Sequence, residues 1–380
     1  MGRYGENGCV VVEEYYHAGD RYQYQPSSTP TFKYSAEPKE ERNSPCMICL
    51  GMLFALLIIL ILIALILFFT LVPAANALPH ASASKLTASK GAYLTPGHND
   101  FISLAYVHTA TETGRYPICL FDTAYFFNDS LAEFRKQHIK GAQHFDIERI
   151  VAPTSTNRYA LVHPLEFQSY VRGLGVNKDC LVVLYDHGEL DTALMTATFV
   201  WWAFKLFGHE KVAIMNGGLR RWKQANYHLT DRLYTLKAEG NFEASWNAKW
   251  IITLPDVISQ FADLTLLDAR PREQFDGLSH YKLASRAGRI KGAISLPIRE
   301  LLDEEGALKG VNDLRITFNE KARDLKCVKS KGGSLVAYCS TGVQSSLLVF
   351  ALVQSGRAAR NYAGSWVEFS QLGPAALRIP

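Results

Sequence analysis

The sequence has no marked excess of charge of either sign and no dense set of cysteines. Its 380 residues include 40 lysines and arginines against 36 aspartates and glutamates, a net charge of +4 at pH 7. So small and mixed a balance excludes the electrostatic footprint of a nucleic-acid-binding protein. The seven cysteines are an odd number scattered along a long chain, unlike the framework of a small disulfide-rich domain. We therefore expect no nucleic-acid partner, and at least one cysteine is a candidate functional thiol.

The composition excludes a mainly disordered chain. Hydrophobic residues make up 48% of the sequence and charged residues 20%, which is typical of a globular protein. At about 150 residues per domain, the length allows two domains and a remainder. Residues 1–46, by contrast, are rich in tyrosine, proline and serine without apolar periodicity, and we predict a disordered tail there.

Charge is absent from residues 47–72, a run of 26 residues that are almost all apolar. A helix of that length spans about 39 Å at about 1.5 Å per residue, more than the ~30 Å hydrocarbon core of a bilayer. The run begins too far along the chain for a secretory signal peptide, whose apolar part is only about 7–15 residues long. We therefore predict one transmembrane helix at 47–72, with the lipid bilayer as a partner, and a linker at 73–91.

The flanking charges indicate the orientation of this helix. Lys33, Lys39 and Arg42 precede it closely, whereas the first basic residue after it is Lys85. The positive-inside rule then predicts a cytosolic N-terminus, with the folded part on the other side of an unidentified membrane. The triplet Asn128-Asp129-Ser130 matches the acceptor pattern for N-glycosylation and agrees with that orientation, although such triplets are frequent by chance.

Two stretches of the chain follow the same order of landmarks. Short apolar runs end at Asp122 and at Asp268, as buried parallel strands would. The further matches are HIKGAQHFDI with RIKGAISLPI, CLVVLYD with SLVAYC, and VAIMNGGLRRW with ARNYAGSW, which end at Trp222 and Trp366. Helical stretches separate the strand-like runs, which is typical of a parallel α/β fold. We predict two α/β domains, at 92–235 and 245–380, each a parallel sheet flanked by helices.

The segment SLVAYCSTGVQSSLLVFALVQSG, residues 334–356, contains the most informative cysteine. Its pattern predicts a buried strand ending at Tyr338 and a helix over the apolar run from Ser345, so that Cys339 lies in the loop between them. The carboxyl ends of parallel strands bind ligands, and a helix N-terminus stabilises a thiolate. Cys339 is therefore a candidate nucleophile. A phosphatase loop would need arginine at position 345, and Ser345 excludes that chemistry.

The other cysteines of the folded part are interpreted differently. Cys119, Cys180 and Cys327 are expected to be buried small hydrophobic residues, since Cys119 and Cys180 lie in strand-like runs. Four tryptophans are predicted to be core aromatics, namely Trp201, Trp202, Trp222 and Trp366.

Over about residues 92–380, these motifs resemble the tandem-domain sulfurtransferases, the rhodanese and 3-mercaptopyruvate sulfurtransferase family. The resemblance rests on Asp268-Ala269-Arg270, Arg289-Ile290-Lys291-Gly292-Ala293, Cys339-Ser340-Thr341-Gly342-Val343, FGHEKVAIMNGGLRRW and GSWVEF. It implies two rhodanese-like domains, of which only the second carries the nucleophile. Asp186 occupies the matching place in the first domain.

The resemblance also implies a reaction. The Cys339 thiolate would take a sulfane sulfur from 3-mercaptopyruvate or thiosulfate, store it as a persulfide, and pass it to cyanide or a thiol, including that of a thioredoxin-like protein. Backbone N–H groups of the loop would cradle the persulfide, which involves Ser340, Gly342, Val343 and Gln344. No metal or organic cofactor is implied. Ser340 and Thr341 are small and uncharged, which resembles the mercaptopyruvate-type members.

The sequence departs from the family pattern where the donor's carboxylate would bind. Family members usually have an arginine just before the paired tryptophans, and this chain has Phe199 there. Lys205, about two turns further along, is a candidate replacement, although a lysine gives a point charge and not a bidentate grip. The alternative is a solvent-exposed helix lysine without a substrate role.

A second departure concerns a relay of serine, histidine and aspartate that the family uses. Thr341 would replace the serine and Glu148 the aspartate, whereas the aligned histidine position is Leu161, with His163 two residues away. His163 is alternatively a surface histidine in a turn. The competing hypothesis is a catalytically weak rhodanese-like module that binds a partner or senses redox state at a membrane. Phe199 and Leu161 favour this hypothesis, and the Cys339 loop opposes it.

Overall fold

The computed structural model describes residues 100–125, 129–189, 192–236, 238–325 and 334–380. These residues belong to one compact unit, Tyr93–Pro380. The predicted tail, transmembrane helix and linker lie outside the described residues, as do Asn128 and Cys327. Within the ranges given above, no helix is long and apolar enough to cross a membrane.

The first half of the compact unit alternates strands and helices. In chain order its elements are β1 (Phe101–Ile102), α1 (Leu104–Thr113), β2 (Ile118–Asp122), α2 (Ser130–Lys136), β3 (Gln143–His144), α3 (Pro164–Gly173), β4 (Leu181–Tyr185), α4 (Met195–Leu206), β5 (Val212–Met215) and α5 (Gly218–Gln224). Its sheet has the order β1-β5-β4-β2-β3, and every strand pair is parallel.

The second half repeats this architecture. Its elements are β6 (Ile251–Ile252), α6 (Leu254–Ser259), β7 (Leu264–Asp268), α7 (Arg272–Phe275), β8 (Arg289–Ile290), β9 (Ile294–Ser295), α8 (Val311–Leu325), β10 (Ser334–Tyr338), α9 (Val343–Gln354), β11 (Ala359–Tyr362), α10 (Ser365–Leu372) and β12 (Arg378–Ile379). The main sheet has the order β6-β11-β10-β7-β9, and β12 and β8 form a separate antiparallel pair. The predicted tandem α/β fold is confirmed.

Local sequence explains several element boundaries. The side chain of Ser103 accepts a hydrogen bond from the Tyr106 N–H at the start of α1, and Gly114 ends the helix with φ of 62°. A polar N-cap and a left-handed glycine satisfy backbone groups that a helix leaves unpaired. In the centre of each sheet, buried strands end in a carboxylate, and Asp122 pairs with Tyr185 as Asp268 pairs with Tyr338.

The last landmark of the repeat needs a correction. The carbonyl of Asp186 accepts the N–H of Leu219, and the carbonyl of Cys339 accepts the N–H of Trp366. Leu219, and not Trp222, is therefore the structural counterpart of Trp366. Trp222 lies about one turn later on α5, where it is buried like the other three tryptophans predicted to be in the core. Both indoles belong to buried faces of short helices, which makes them similar in sequence context without being equivalent in position.

One hydrophobic cluster spans both halves of the unit. Helix α4 of the first domain packs against α9 of the second, where the hydroxyls of Thr198 and Ser346 lie 3.3 Å apart. The Phe350 ring on α9 contacts Trp201 and Phe101 edge to face, with centroids 4.8 and 4.9 Å apart. The helix that follows the candidate cysteine loop is thus held by both domains.

Cys119 and Cys180 form a disulfide, so their interpretation as unpaired hydrophobic residues was wrong. Cys119 lies on β2, and Cys180 immediately precedes β4. The two strands are neighbours, with Ile118 opposite Leu181, which brings the two Cα atoms within 6.2 Å. That distance is ordinary for a disulfide.

Candidate functional site

Cys339 lies between β10 and α9 and is fully buried. It is the free cysteine of the described part of the chain. Its Sγ accepts a hydrogen bond from the Gly342 N–H at 3.1 Å and lies 3.5 Å from the Ser345 hydroxyl. Gly342 has φ of 88°, and a Cβ atom there would lie 2.5 Å from the Ala363 carbonyl oxygen. Only glycine lets the loop turn tightly enough to aim this N–H at the sulfur.

The backbone of Cys339 is fixed by the segment after β11. Its N–H donates to the Ser365 hydroxyl at 3.1 Å, and its carbonyl accepts the Trp366 N–H at 2.9 Å. Ser365 is fully buried and has φ of 54°, a conformation that residues with a Cβ rarely adopt. The hydroxyl of Ser365 in turn donates to the Tyr362 carbonyl. The nucleophile is therefore held at three points: N–H, carbonyl and sulfur.

A buried ion pair lies at the end of β7, the neighbour of the strand that leads to Cys339. The buried Arg270 guanidinium donates to both carboxylate oxygens of Asp268, at 2.9 and 2.6 Å, and lies over the rings of Tyr338 and Trp366. Burial lowers the pKa of Arg270, but its hydrogen bond to Asp268 and the charges of Asp268, Tyr338 and Cys339 outweigh burial and raise it overall.

The predicted loop residues surround Cys339. Ser340 and Thr341 are 7% and 8% exposed, and Val343 is also buried, whereas Gln344 is half-buried. The Ser340 hydroxyl donates to Gln274 Oε1 at 3.0 Å. The structure therefore brings together the residues expected to form the cradle, and their role toward a persulfide remains a prediction.

The candidate relay residues of the first domain have other partners. Glu148 forms an ion pair with Arg158 at 2.5 Å and accepts a hydrogen bond from the Tyr125 hydroxyl. Burial raises the pKa of Glu148, but these hydrogen bonds outweigh it and lower the pKa overall. His163 is exposed and caps α3, with Nδ1 accepting the Leu165 N–H. None of the hydrogen bonds among the described residues joins Thr341 to His163 or Glu148, so the relay stays a prediction.

Lys205 is buried. Its alternative interpretation as a solvent-exposed helix lysine was therefore wrong. Its Nζ donates to the backbone carbonyl of Glu210 at 2.8 Å and pairs with the carboxylates of Glu210 and Asp100 at 3.3 and 3.4 Å. It also lies 5.9 Å from the centroid of the Trp201 ring. Its charge is thus balanced within the first domain, and its substrate role remains a prediction.

Phe199 lies in the hydrophobic core. It is 1% exposed, and its ring packs against Tyr159 and Trp202 with centroids 6.0 and 5.8 Å apart. The position that carries an arginine in the family pattern is therefore occupied here by an aromatic residue in tight apolar surroundings.

The loop of the first domain that corresponds to the cysteine loop carries carboxylates and one histidine, His187. Asp186 is 4% exposed; its Oδ1 accepts the Gly188 N–H at 3.1 Å, and among the described residues its Oδ2 has no hydrogen-bond partner of standard geometry. Burial raises the pKa of Asp186 to about 7. Next to it, His187 pairs with Asp122 at 3.1 Å. No thiol is present at this position, as the sequence indicated.

Sequence reasoning missed four residues around the sulfur. Arg270 was noted as part of a motif without a role, and Ser345 was noted only as a missing arginine. Ser365 and Asn361 were not singled out. The sequence did contain a signal for Asn361. It is a polar residue within a short strand that precedes a buried helix, and a polar residue in such a place indicates a buried hydrogen-bonding role.

The comparisons with known proteins agree with this geometry. The family model described as "Rhodanese-like domain" matches residues 105–225 and again 253–372, and the chain belongs to the rhodanese family of sulfurtransferases. It is 32% identical over 279 residues to the 3-mercaptopyruvate sulfurtransferase of Mus musculus, covering 70% of this chain and 91% of the relative. It is 31% identical over 254 residues to the thiosulfate sulfurtransferase of Gallus gallus, covering 66% and 84%.

Solved structures show the same likeness. SseA from Escherichia coli, described as a 3-mercaptopyruvate sulfotransferase with the rhodanese fold, is 28% identical with a TM-score of 0.60, and 70% of this chain and 99% of that chain are covered. The Tum1 protein from Saccharomyces cerevisiae has a TM-score of 0.64 at 22% identity, covering 74% and 97%. The second likeness concerns the fold alone. The predicted family, tandem domains and sulfurtransferase function are confirmed.

Proposed function

We propose that Cys339 is the nucleophile of this sulfurtransferase and carries the transferred sulfur as a persulfide. The supporting observation is a free thiol at the start of α9 whose Sγ receives the Gly342 N–H at 3.1 Å. Arg270, also buried and paired with Asp268, interacts electrostatically with Cys339. Together these groups stabilise a thiolate and then the anionic persulfide.

The chemistry balances in two half-reactions. The Cys339 thiolate attacks the transferable sulfur of the donor, which is the outer sulfur of thiosulfate or the thiol sulfur of 3-mercaptopyruvate, and forms a sulfur–sulfur bond. The bond between that sulfur and the rest of the donor breaks, and the leaving fragment keeps the electron pair. Thiosulfate thus releases sulfite, whereas 3-mercaptopyruvate releases the enolate of pyruvate, which takes up a proton to give pyruvate. A thiolate or cyanide then attacks the outer sulfur and returns Cys339 as a thiolate. Free enzyme and persulfide enzyme alternate, which predicts ping-pong kinetics.

The donor is proposed to be 3-mercaptopyruvate or thiosulfate, the compounds named for the relatives above. The loop residues Ser340 and Thr341 carry no charge and favour the former. The backbone N–H groups of Ser340, Gly342, Val343 and Gln344 would receive the persulfide, and the Thr341 hydroxyl would act beside it. Lys205, His163 and Glu148 remain candidates for donor binding, although the ion pairs of Lys205 with Asp100 and Glu210 favour a structural role for that residue.

A competing function is supported by one observation. Cys339 is fully buried, which is compatible with a rhodanese-like module that binds a partner or senses redox state without efficient turnover.

Mass spectrometry distinguishes the sulfurtransferase from the competing module. Full-length protein in detergent is incubated with each donor, and Cys339→Ala serves as the control. A gain of about 32 Da, one sulfur atom, that needs Cys339 and disappears on adding cyanide or a thiol is expected of the enzyme. A folded parent protein that gains no sulfur from either donor contradicts the proposal.

We also propose that residues 47–72 anchor the protein in a membrane and that the rhodanese-like domains face an oxidising compartment. The apolar run supports the anchor. The Cys119–Cys180 disulfide supports the orientation, because structural disulfides are rare in the reducing cytosol. In sealed vesicles from cells, the domains should resist added protease until detergent is present. Digestion without detergent contradicts this orientation, and release of the intact chain by carbonate washing contradicts the anchor.

A further inference from the structure

A buried pair of polar side chains lies directly against the sulfur of Cys339. Ser345 is on the first turns of α9 and Asn361 is on β11, and both are fully buried. The Ser345 hydroxyl donates to Asn361 Oδ1 at 2.7 Å, and its oxygen is 3.5 Å from Cys339 Sγ. Asn361 Nδ2 donates to the Gly342 carbonyl at 2.9 Å. Buried polar groups are costly unless paired, so this arrangement calls for a reason.

The Ser345 hydroxyl has one hydrogen and two acceptors within reach. While Cys339 is a thiol, the hydroxyl hydrogen is held by the neutral amide oxygen of Asn361. When Cys339 loses its proton, the anionic sulfur becomes the stronger acceptor. Rotation about the Cβ–Oγ bond then turns the hydrogen to Sγ, and no covalent bond to Ser345 forms or breaks. Asn361 keeps its bond to the Gly342 carbonyl throughout.

We propose that Ser345 is a further catalytic residue of the sulfur transfer, a second hydrogen-bond donor to the Cys339 sulfur after the Gly342 N–H. Asn361 is its positioning residue, because it holds the Ser345 oxygen beside the sulfur and holds the peptide of Gly342 that aims the first donor. The inference rests on the proposed role of Cys339 as nucleophile. It gives position 345 a function different from that of the phosphate-binding arginine excluded above.

The neighbouring residue supplies a matched control. Ser346 is on the same turn and equally buried, but its hydroxyl donates to the Val343 carbonyl at 2.6 Å and faces Thr198. Ser345→Ala and Ser346→Ala each remove one buried hydroxyl from α9. Only the first removes a group that touches the sulfur.

The test is a pH titration of the ultraviolet thiolate absorbance in full-length protein, with the matching Cys339→Ala protein subtracted so that the other thiols cancel. This readout needs no sulfur donor, so it separates failure of the inference from failure of the proposed function. Ser345→Ala should raise the pH midpoint of the Cys339 signal by about 0.5–1, since one net hydrogen bond to the thiolate is lost. Ser346→Ala should leave the midpoint at the parent value. Equal midpoints in the parent and Ser345→Ala overturn the proposal.

Two further variants keep the test decisive if Ser345→Ala folds poorly. Ser345→Thr retains the hydroxyl and should keep the parent midpoint, whereas Asn361→Ala should raise it because both donors lose their support. Where Ser345→Ala does fold, the midpoint of the double variant Ser345→Ala with Asn361→Ala should shift by less than the sum of the two single shifts. An Asn361→Ala midpoint equal to the parent value contradicts the positioning role. With donor present, persulfide formation below the midpoint should slow about three- to tenfold in Ser345→Ala.

Discussion

Asp186 and Cys339 occupy the same position in the two domains, and their side chains are held in the same way. Asp186 Oδ1 accepts the Gly188 N–H at 3.1 Å, as Cys339 Sγ accepts the Gly342 N–H at 3.1 Å. The carboxyl group of the first domain thus fills the place that the sulfur fills in the second. Because position 186 has a carboxyl group and no thiol, the loop of the first domain cannot form a persulfide there.

Because Asp186 is buried, we predict that its contribution to the free energy of unfolding falls as pH rises. The pKa of Asp186 is raised from 3.8 to about 7 in the folded protein, so the native state keeps a proton that the unfolded chain releases. Stability from this group is full below about pH 4 and is lost as pH rises through about 7. The side chain of the Asp186→Asn variant cannot titrate. The free energy of unfolding of this variant should therefore change with pH by up to about 4 kcal/mol less than that of the parent across that range.

Urea unfolding of parent and variant between pH 4 and 8 measures this difference. Asp179→Asn is the control, because its carboxylate is 79% exposed in a surface pair with Lys211. The control should follow the parent curve. Parallel curves for the parent and Asp186→Asn would show that Asp186 is ionised throughout and would contradict the prediction.

The fold was predictable because its signals are local. Apolar runs that end at Asp122 and Asp268 indicate buried strands without any knowledge of their neighbours, and the repeat of landmarks indicates two copies of one domain. Cys339 was predictable for the same reason, since strand, loop and helix are consecutive in sequence. The Cys119–Cys180 bond was not, because it depends on the lateral order of β2 and β4, which spacing along the chain does not give.

The groups around the sulfur were less predictable because they come from distant segments. Arg270 follows β7, Asn361 lies on β11 and Ser365 begins α10. Their positions around Cys339 require the assembled sheet. Lys205 shows the converse: its place on a helix suggested solvent or substrate, whereas the fold provides Asp100 and Glu210 as partners.

The disulfide should stabilise the first domain substantially. Cys119 and Cys180 are 61 residues apart in sequence, and closing a loop of that size removes unfolded-state entropy worth about 4 kcal/mol. Reducing the parent protein, or replacing both cysteines by alanine, should lower the free energy of unfolding by a similar amount. Urea titration with and without reductant measures this. Reductant should have no further effect on the double variant, and a parent insensitive to reductant would show that the bond is absent or inert.

Replacing Lys205 by methionine tests whether this residue binds the donor or supports the fold. We expect a loss of about 2 kcal/mol of stability, because the partly buried Asp100 carboxylate and the exposed Glu210 carboxylate would lose their cation, and we expect an unchanged KM for the donor. The control is Lys211→Met, which removes a lysine that is 54% exposed and should change neither quantity. A KM that rises tenfold at unchanged stability would instead assign Lys205 to the substrate.

Two substitutions of Ser365 distinguish the effect of backbone strain from the effect of its hydrogen bond to Cys339. Both Ser365→Ala and Ser365→Gly remove the hydroxyl that accepts the Cys339 N–H, and each leaves a buried donor unpaired at a cost of about 1–3 kcal/mol. Glycine adopts the φ of 54° without the penalty that alanine pays, so Ser365→Gly should be about 1 kcal/mol more stable than Ser365→Ala. Both variants should form the persulfide more slowly than the parent, because the loop loses one of the three points that hold Cys339. Urea unfolding gives the stability difference, and rapid quenching with mass detection gives the rate. Parent-like persulfide formation in both variants would show that the Ser365 hydroxyl supports the fold but not the reaction.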